Sequence, residues 1–169
     1  MAAFDYRGEV AVAIATAKLA GAHAGWAGLS APLVARLVAA PPPVDVVTWV
    51  TTPPRRVRQR GSDHAAVLAR QVARGLGLPA LALLDAVDGG RRGDTYHARH
   101  ALPGTDVLLV DDILTTGATA WRAATELRRA GAGALHLAVL ARAGTHALGA
   151  ATGAPPTTGS ARSTGGRVQ

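Results

Sequence analysis

The sequence predicts an α/β fold, a parallel sheet covered by helices on both faces. Three observations carry that reading. Short runs rich in Val and Leu recur at residues 44–50, 81–84, 107–110 and 135–140, each the length of a buried strand. Between them lie segments with apolar residues at intervals of three and four, the period of a helix packed on one side. Strand and helix patterns therefore alternate, which implies βαβ units and parallel pairing. In such sheets ligands bind at the carboxyl ends of the strands, so the loops after Val50 and Val110 share one crevice.

The elements follow in order along the chain. Val10, Ile14 and Ala17 predict a helix over about residues 9–20. Ser30 and Pro32 open a second helix with Leu33, Val34, Leu37 and Val38 on one face, and the run Pro41-Pro42-Pro43 ends it. The β-branched run at 44–50 is a strand closed by Thr52-Pro53-Pro54. Asp63 is the N-cap of a helix that turns Ala65, Leu68, Ala69, Val72 and Leu76 inward, and Gly75, Gly77 and Pro79 stop it. A short strand is expected at 81–84. Residues 85–104 are polar and glycine-rich, a loop or an irregular hairpin. The strand at 107–110 leads through a loop to a helix at 118–130, with Ala120, Ala123, Ala124 and Leu127 inward and Gly131 as its stop. The last strand is 135–140. One domain spans 1–148, and 149–169, made of Gly, Ala, Pro, Ser, Thr and Arg, reads as a disordered low-complexity tail.

Composition narrows the class of partner. The net charge is +7, and Lys18 is the only lysine among 18 basic residues. Such a surface suits an anion: a phosphate ester, a pyrophosphate or a nucleic acid. With no cysteine, disulfides and thiolate metal sites are excluded. Asp5 and Glu9 make the N-terminal stretch acidic where a signal peptide needs basic residues. No run reaches the roughly 18 consecutive apolar residues of a membrane span. The chain reads as cytoplasmic, with no membrane partner.

Residues 107–119 carry the chemistry. Four apolar residues bury the strand, and Asp111 and Asp112 follow where it leaves the sheet. Side chains alternate along a strand, so the two carboxylates point different ways. Ionised carboxylates only accept hydrogen bonds, so one suits the vicinal hydroxyls of a ribose while the other faces the loop or a metal's water shell. After two spacers come Thr115, Thr116, Gly117, Ala118 and Thr119 at a helix start. Hydroxyls, free backbone N–H groups and the helix dipole together make an anion site there. Gly117 lets backbone approach a phosphate with no Cβ in the way. A sugar carrying a 5′-phosphate fills both halves.

The stretch Asp111-Asp112-Ile113-Leu114-Thr115-Thr116-Gly117-Ala118-Thr119 resembles the phosphoribosyl pyrophosphate (PRPP) motif of type I phosphoribosyltransferases. The Ala118 form is common in the ComF-like (amidophosphoribosyltransferase-like) branch. The segment Thr51-Thr52-Pro53-Pro54-Arg55-Arg56-Val57-Arg58-Gln59-Arg60-Gly61-Ser62-Asp63-His64 is similar to that branch's strand, proline turn, arginine cluster and Arg-Gly element, with Ser62 and Asp63 in place of Phe and Asn. Lys18, with Gly21 downstream, resembles its early lysine. The likeness covers roughly residues 5 to 142.

The resemblance implies a Rossmann-like type I fold and transfer of a 5-phosphoribosyl group to a nitrogenous base or amine, with release of pyrophosphate. It implies a role in nucleotide metabolism or competence-associated DNA uptake. Asp111 and Asp112 would be the catalytic pair, holding Mg²⁺ through its waters. Asp111, Asp112, Thr115, Thr116, Gly117, Ala118 and Thr119 would bind the ribose 5-phosphate, and Arg60, Arg56 and Lys18 the pyrophosphate. A homodimer is common for the fold. Members of the branch often begin with a cysteine-rich zinc segment, and the chain has no cysteine. The family's hood over the substrate is shortened here to residues 85–104, which weakens turnover more than binding.

Two other readings stand beside the enzyme. One is a non-catalytic PRPP- or nucleotide-binding protein in regulation or DNA uptake. The other is a basic nucleic-acid module, the weaker because no aromatics interleave the arginines for base stacking. His64, His97 and His100 read as surface residues, and Trp49 and Trp121 as packing.

Overall fold

The computed structural model describes residues 1–20 and 23–143, so the expected tail at 149–169 and the domain end at 148 lie outside the described residues. The elements are β1 (Ala2–Asp5), α1 (Gly8–Ala20), α2 (His23–Ala39), β2 (Val46–Trp49), α3 (Pro54–Arg60), α4 (His64–Leu76), β3 (Leu84–Val87), β4 (Thr95–Ala98), β5 (Val107–Leu114), α5 (Ala118–Arg129) and β6 (Leu135–Arg142). Four strands form one sheet in the order β1-β6-β5-β2, every pair parallel. β3 and β4 make a separate antiparallel hairpin.

The apolar run of β5 explains its central place. Leu108 and Val110 enter a core with Ile14, Leu33, Leu37, Leu68 and Val72, from α1, α2 and α4. Val107 and Leu109 enter a second core with Leu83, Leu84, Tyr96, Ala123 and Leu127, from the hairpin and α5. Successive side chains on one strand serve opposite faces. The expected α/β fold with helices on both faces is the fold observed.

The boundaries differ from the expectation in instructive places. β1 has no strand signal of its own; its parallel ladder to β6, Ala2 with Val139 and Phe4 with Ala141, makes it a strand. α2 begins at His23 and runs through Ser30 and Pro32. Ser30 is an interior residue, its hydroxyl donating to the Ala27 carbonyl at 3.0 Å and reaching Gln71 on α4. Residues 54–60 form a short helix rather than a loop, with proline in its first turn. The run at 81–84 is not a strand of the main sheet: Ala80 bridges Val47, Leu81 donates to the Val47 carbonyl, and the regular strand starts only at Leu84. β5 continues past Val110 to Leu114 because β6 offers backbone partners as far as Arg142.

Candidate active site

α4, which follows β2, and α5, which follows β5, pack on opposite faces of the sheet. The carboxyl ends of these adjacent strands therefore open a crevice between two diverging connections. A cavity of about 110 Å³ lies there, lined among others by Thr51, Thr52 and Pro53 after β2, by Asp111 and Asp112 on β5, and by Thr119 on α5. Lys18 from α1 and Arg56 from α3 reach the same cavity. The expected sharing of one crevice by the loops after Val50 and Val110 is met.

Asp63 shapes the near wall. It caps α4 by accepting from the Ala66 N–H at 3.3 Å, and it accepts from the Thr52 N–H at 3.1 Å and the Thr52 hydroxyl at 3.2 Å. One carboxylate thus ties the loop after β2 to the start of α4.

The acid pair is asymmetric. Asp111 is 8% exposed, with its Oδ1 accepting from the Asp112 N–H at 2.8 Å. Asp112 is more open, and its Oδ2 lies 2.5 Å from the Lys18 ammonium. Burial pushes the Asp111 carboxyl well above the usual carboxylate range, and the Asp112 charge pushes it further; the Asp112 N–H and, more weakly, Lys18 act against them. One carboxylate is neutralised by a lysine. The other is left beside a like charge with little water, an arrangement that gains from a cation or from hydroxyl donors.

The loop after β5 presents Thr115 and Thr116, both exposed. The Thr116 hydroxyl oxygen accepts from the Ala118 N–H at 3.3 Å. Gly117 precedes α5 at φ 78°, in the left-handed region that favours glycine, and as the cap residue it has no side chain to offer the helix. The first-turn N–H groups of α5 point away from the helix without intrahelical partners, a few residues from Asp112.

Arg56 is engaged elsewhere. Its guanidinium pairs with Asp94 in the hairpin, with one contact at 3.0 Å and a second shorter one, and with Asp88 at 3.2 Å. Arg55 and Arg58 are exposed, and the side chain of Arg60 lies outside the described residues. The pairing fastens the hairpin to α3. Asp94 is 8% exposed, so Arg56→Ala leaves a buried carboxylate without its cation. A loss of about 2 kcal/mol is expected, below the figure for a fully buried pair because Arg56 is a third exposed. Urea unfolding reads it. Adding Asp94→Asn to the variant is expected to restore much of the loss, and an unchanged midpoint in Arg56→Ala alone would count against the fastening.

Residues 62–150 match the sequence profile described as the phosphoribosyl transferase domain. The chain belongs to that family. Among solved structures it is similar to the purine phosphoribosyltransferase from Pyrococcus horikoshii Ot3, at 21% identity and a TM-score of 0.51, over 69% of this chain and 72% of that one. It is also similar to the glutamine PRPP amidotransferase from B. subtilis, at 22% identity and a TM-score of 0.50, over 69% of this chain but 26% of that one. A structure described as the allosteric regulatory enzyme of purine biosynthesis matches at 23% identity and a TM-score of 0.52, and this chain spans 26% of its length. At these identities the likeness is one of fold. No curated protein sequence matches the chain.

The site also holds residues that the sequence pattern alone does not mark. Asp94 and Tyr96 come from the hairpin and line the same cavity as the acid pair. Their signal was the alternation in Thr95-Tyr96-His97-Ala98, which faces Leu84-Asp85-Ala86-Val87 across glycines, the pattern of a hairpin with one buried face; Asp94 immediately precedes its second strand. His64 is not a surface residue. It is buried in the cavity wall, its ring stacked on Trp26 at 5.0 Å and its Nδ1 3.2 Å from the Ser62 hydroxyl. His97 and His100 are exposed, as expected. Trp49 is packing, buried under Arg70, but Trp121 on α5 is 75% exposed. Among the described residues no helix is long and apolar enough to cross a membrane.

Proposed function

We propose that the chain binds PRPP at Asp111–Thr119 and transfers its 5-phosphoribosyl group to a nitrogenous acceptor, releasing pyrophosphate. The observation that carries this is the single cavity joining Lys18, Asp111, Asp112 and Thr119 at the start of α5. Asp111 and Asp112 accept hydrogen bonds from the ribose hydroxyls. The N–H groups of Gly117 and Thr119, that of Ala118 once the phosphate takes the place of the Thr116 oxygen, and the hydroxyls of Thr115 and Thr116 hold the 5′-phosphate. Lys18, which lines the cavity beside Asp112, answers the pyrophosphate charge, and Arg60 and Arg56 are the further candidates. As the acceptor nitrogen bonds to C1, the bond from C1 to the pyrophosphate oxygen breaks and the nitrogen gives up a proton. The chain's part is to align the reactants and stabilise charge in a site shielded from water.

The donor set fits Mg²⁺. Among the described residues no three His, Asp or Glu side chains gather into a metal cage. Magnesium, however, is commonly held by one or two carboxylates, with the substrate's phosphates and waters as its remaining ligands. Asp111, raised by burial and a like charge, and Asp112 beside it would hold the ion through its waters. When bound, it would neutralise the leaving pyrophosphate.

The Ala118 form of the loop and the proline–arginine run after β2 support the ComF-like branch. The tie of Arg56 to Asp88 and Asp94 favours a second reading, a PRPP-binding regulator without turnover, because it occupies a candidate pyrophosphate ligand. Calorimetric titration with PRPP and Mg²⁺, followed by assays of pyrophosphate release against a panel of bases, tests both. Binding with release is expected. Binding with no release on any base selects the regulator. DNA affinity that falls steeply with salt, without PRPP binding, sinks both in favour of a nucleic-acid module.

A further inference from the structure

The hairpin at 84–98 delivers a group to the site that the motif at 111–119 does not supply. Tyr96 on β4 is 3% exposed, and its ring packs in the core formed by Leu83, Leu84, Leu109 and Leu127. Among the described residues its hydroxyl finds no hydrogen-bond partner. A phenylalanine would pack there equally well, so packing does not account for the oxygen. Buried tyrosine hydroxyls usually find a partner, and an orphan disfavours the fold unless something else uses it. The residue lines the same 110 Å³ cavity as Asp111, Asp112, Lys18 and Thr119.

The chemistry of the neighbours narrows what could satisfy that oxygen. Burial, then the charges of Asp94 and Asp111, push the phenol above its ordinary range, so it stays protonated and donates. Asp111 on β5, which lines the same cavity, offers an acceptor. A phosphate oxygen next to Asp111 would meet like charge. A sugar hydroxyl would not, because it donates through its hydrogen and accepts through its lone pairs. A hydroxyl between the two side chains donates a hydrogen bond to the carboxylate and accepts one from the phenol.

We propose that Tyr96 is a ligand-binding residue, its phenol donating to a ribose hydroxyl of the phosphorylated pentose that Asp111 holds. The proposal rests on the reading of Asp111–Thr119 as a PRPP site. The pairing of Arg56 with Asp94, two residues earlier, anchors the start of β4 to α3 and keeps Tyr96 in place. The shortened hood thus still contributes a contact to the sugar.

The test separates the oxygen's role in binding from any role in folding. Wild-type protein and Tyr96→Phe are unfolded thermally without ligand, then titrated calorimetrically with PRPP and Mg²⁺. The unliganded variant is expected to melt at the same temperature or higher, since it loses an unsatisfied buried hydroxyl. Its affinity for PRPP is expected to fall about tenfold, the worth of one hydrogen bond in a water-poor site. Wild-type binding with an equal constant for the variant overturns the role of Tyr96 and leaves the PRPP site standing. A lower melting temperature in the unliganded variant makes the oxygen structural and also overturns the proposal. No binding by the wild type overturns the proposal and the site together.

Discussion

Changing Asp111 and Asp112 together to Asn is expected to weaken PRPP binding by at least about a hundredfold, the loss of two hydrogen bonds to charged acceptors. The double variant should still fold. Asn keeps an oxygen at each Oδ1, so the bonds from the Asp112 and Ile113 N–H groups, at 2.8 and 2.7 Å, survive. The partner of Lys18 is lost, but that lysine is partly exposed and can turn to water. Calorimetry with Mg²⁺ present measures the affinity, and a melting curve controls for folding. Unaltered affinity in a folded double variant would remove Asp111 and Asp112 from the site.

That variant was designable from the sequence because the segment concerned is contiguous. Burial of 107–110, the two acids, the threonines and Gly117 all lie within one strand–loop–helix passage, and local periodicity places each. The helix over α4 was legible for the same reason, with its cap at Asp63 and its apolar spacing. What escaped was set by partners far away in the chain. β1 is a strand only because β6 lies beside it. The ion pair of Arg56 with Asp94 joins positions 38 residues apart, and nothing near either residue announces it. His64 looked like a loop histidine until the stacking with Trp26, on another helix, buried it. The end of β5 lies farther along the chain than its residue pattern suggests. Two adjacent acids suggest an exit from the sheet, yet β6 holds the backbone of β5 in place through Leu114, and Asp111 is consequently carried deeper than a loop residue would be.

The same depth has a thermodynamic sign. Asp111→Asn alone is expected to make the unliganded protein more stable at neutral pH, on the order of 1 kcal/mol, while weakening PRPP binding. The carboxyl is raised in the folded protein by burial and then by the Asp112 charge. At acid pH, below the ordinary Asp value of about 3.9, it is protonated in both folded and unfolded chains and exacts no penalty. As pH rises from there toward the raised folded value, the unfolded chain has released this proton while the folded chain retains it. Stability contributed at this position therefore falls through that window, then levels once both forms are charged. Asn does not titrate. The advantage of Asp111→Asn over wild type should be near zero in acid and should grow as the pH rises through the window. Urea unfolding of the two proteins in parallel from acid to neutral pH measures it. Curves separated by a constant amount would mean that Asp111 is not the titrating group. The expected divergence, joined to weaker binding, would mark Asp111 as a residue whose charge destabilises the free fold and serves the ligand.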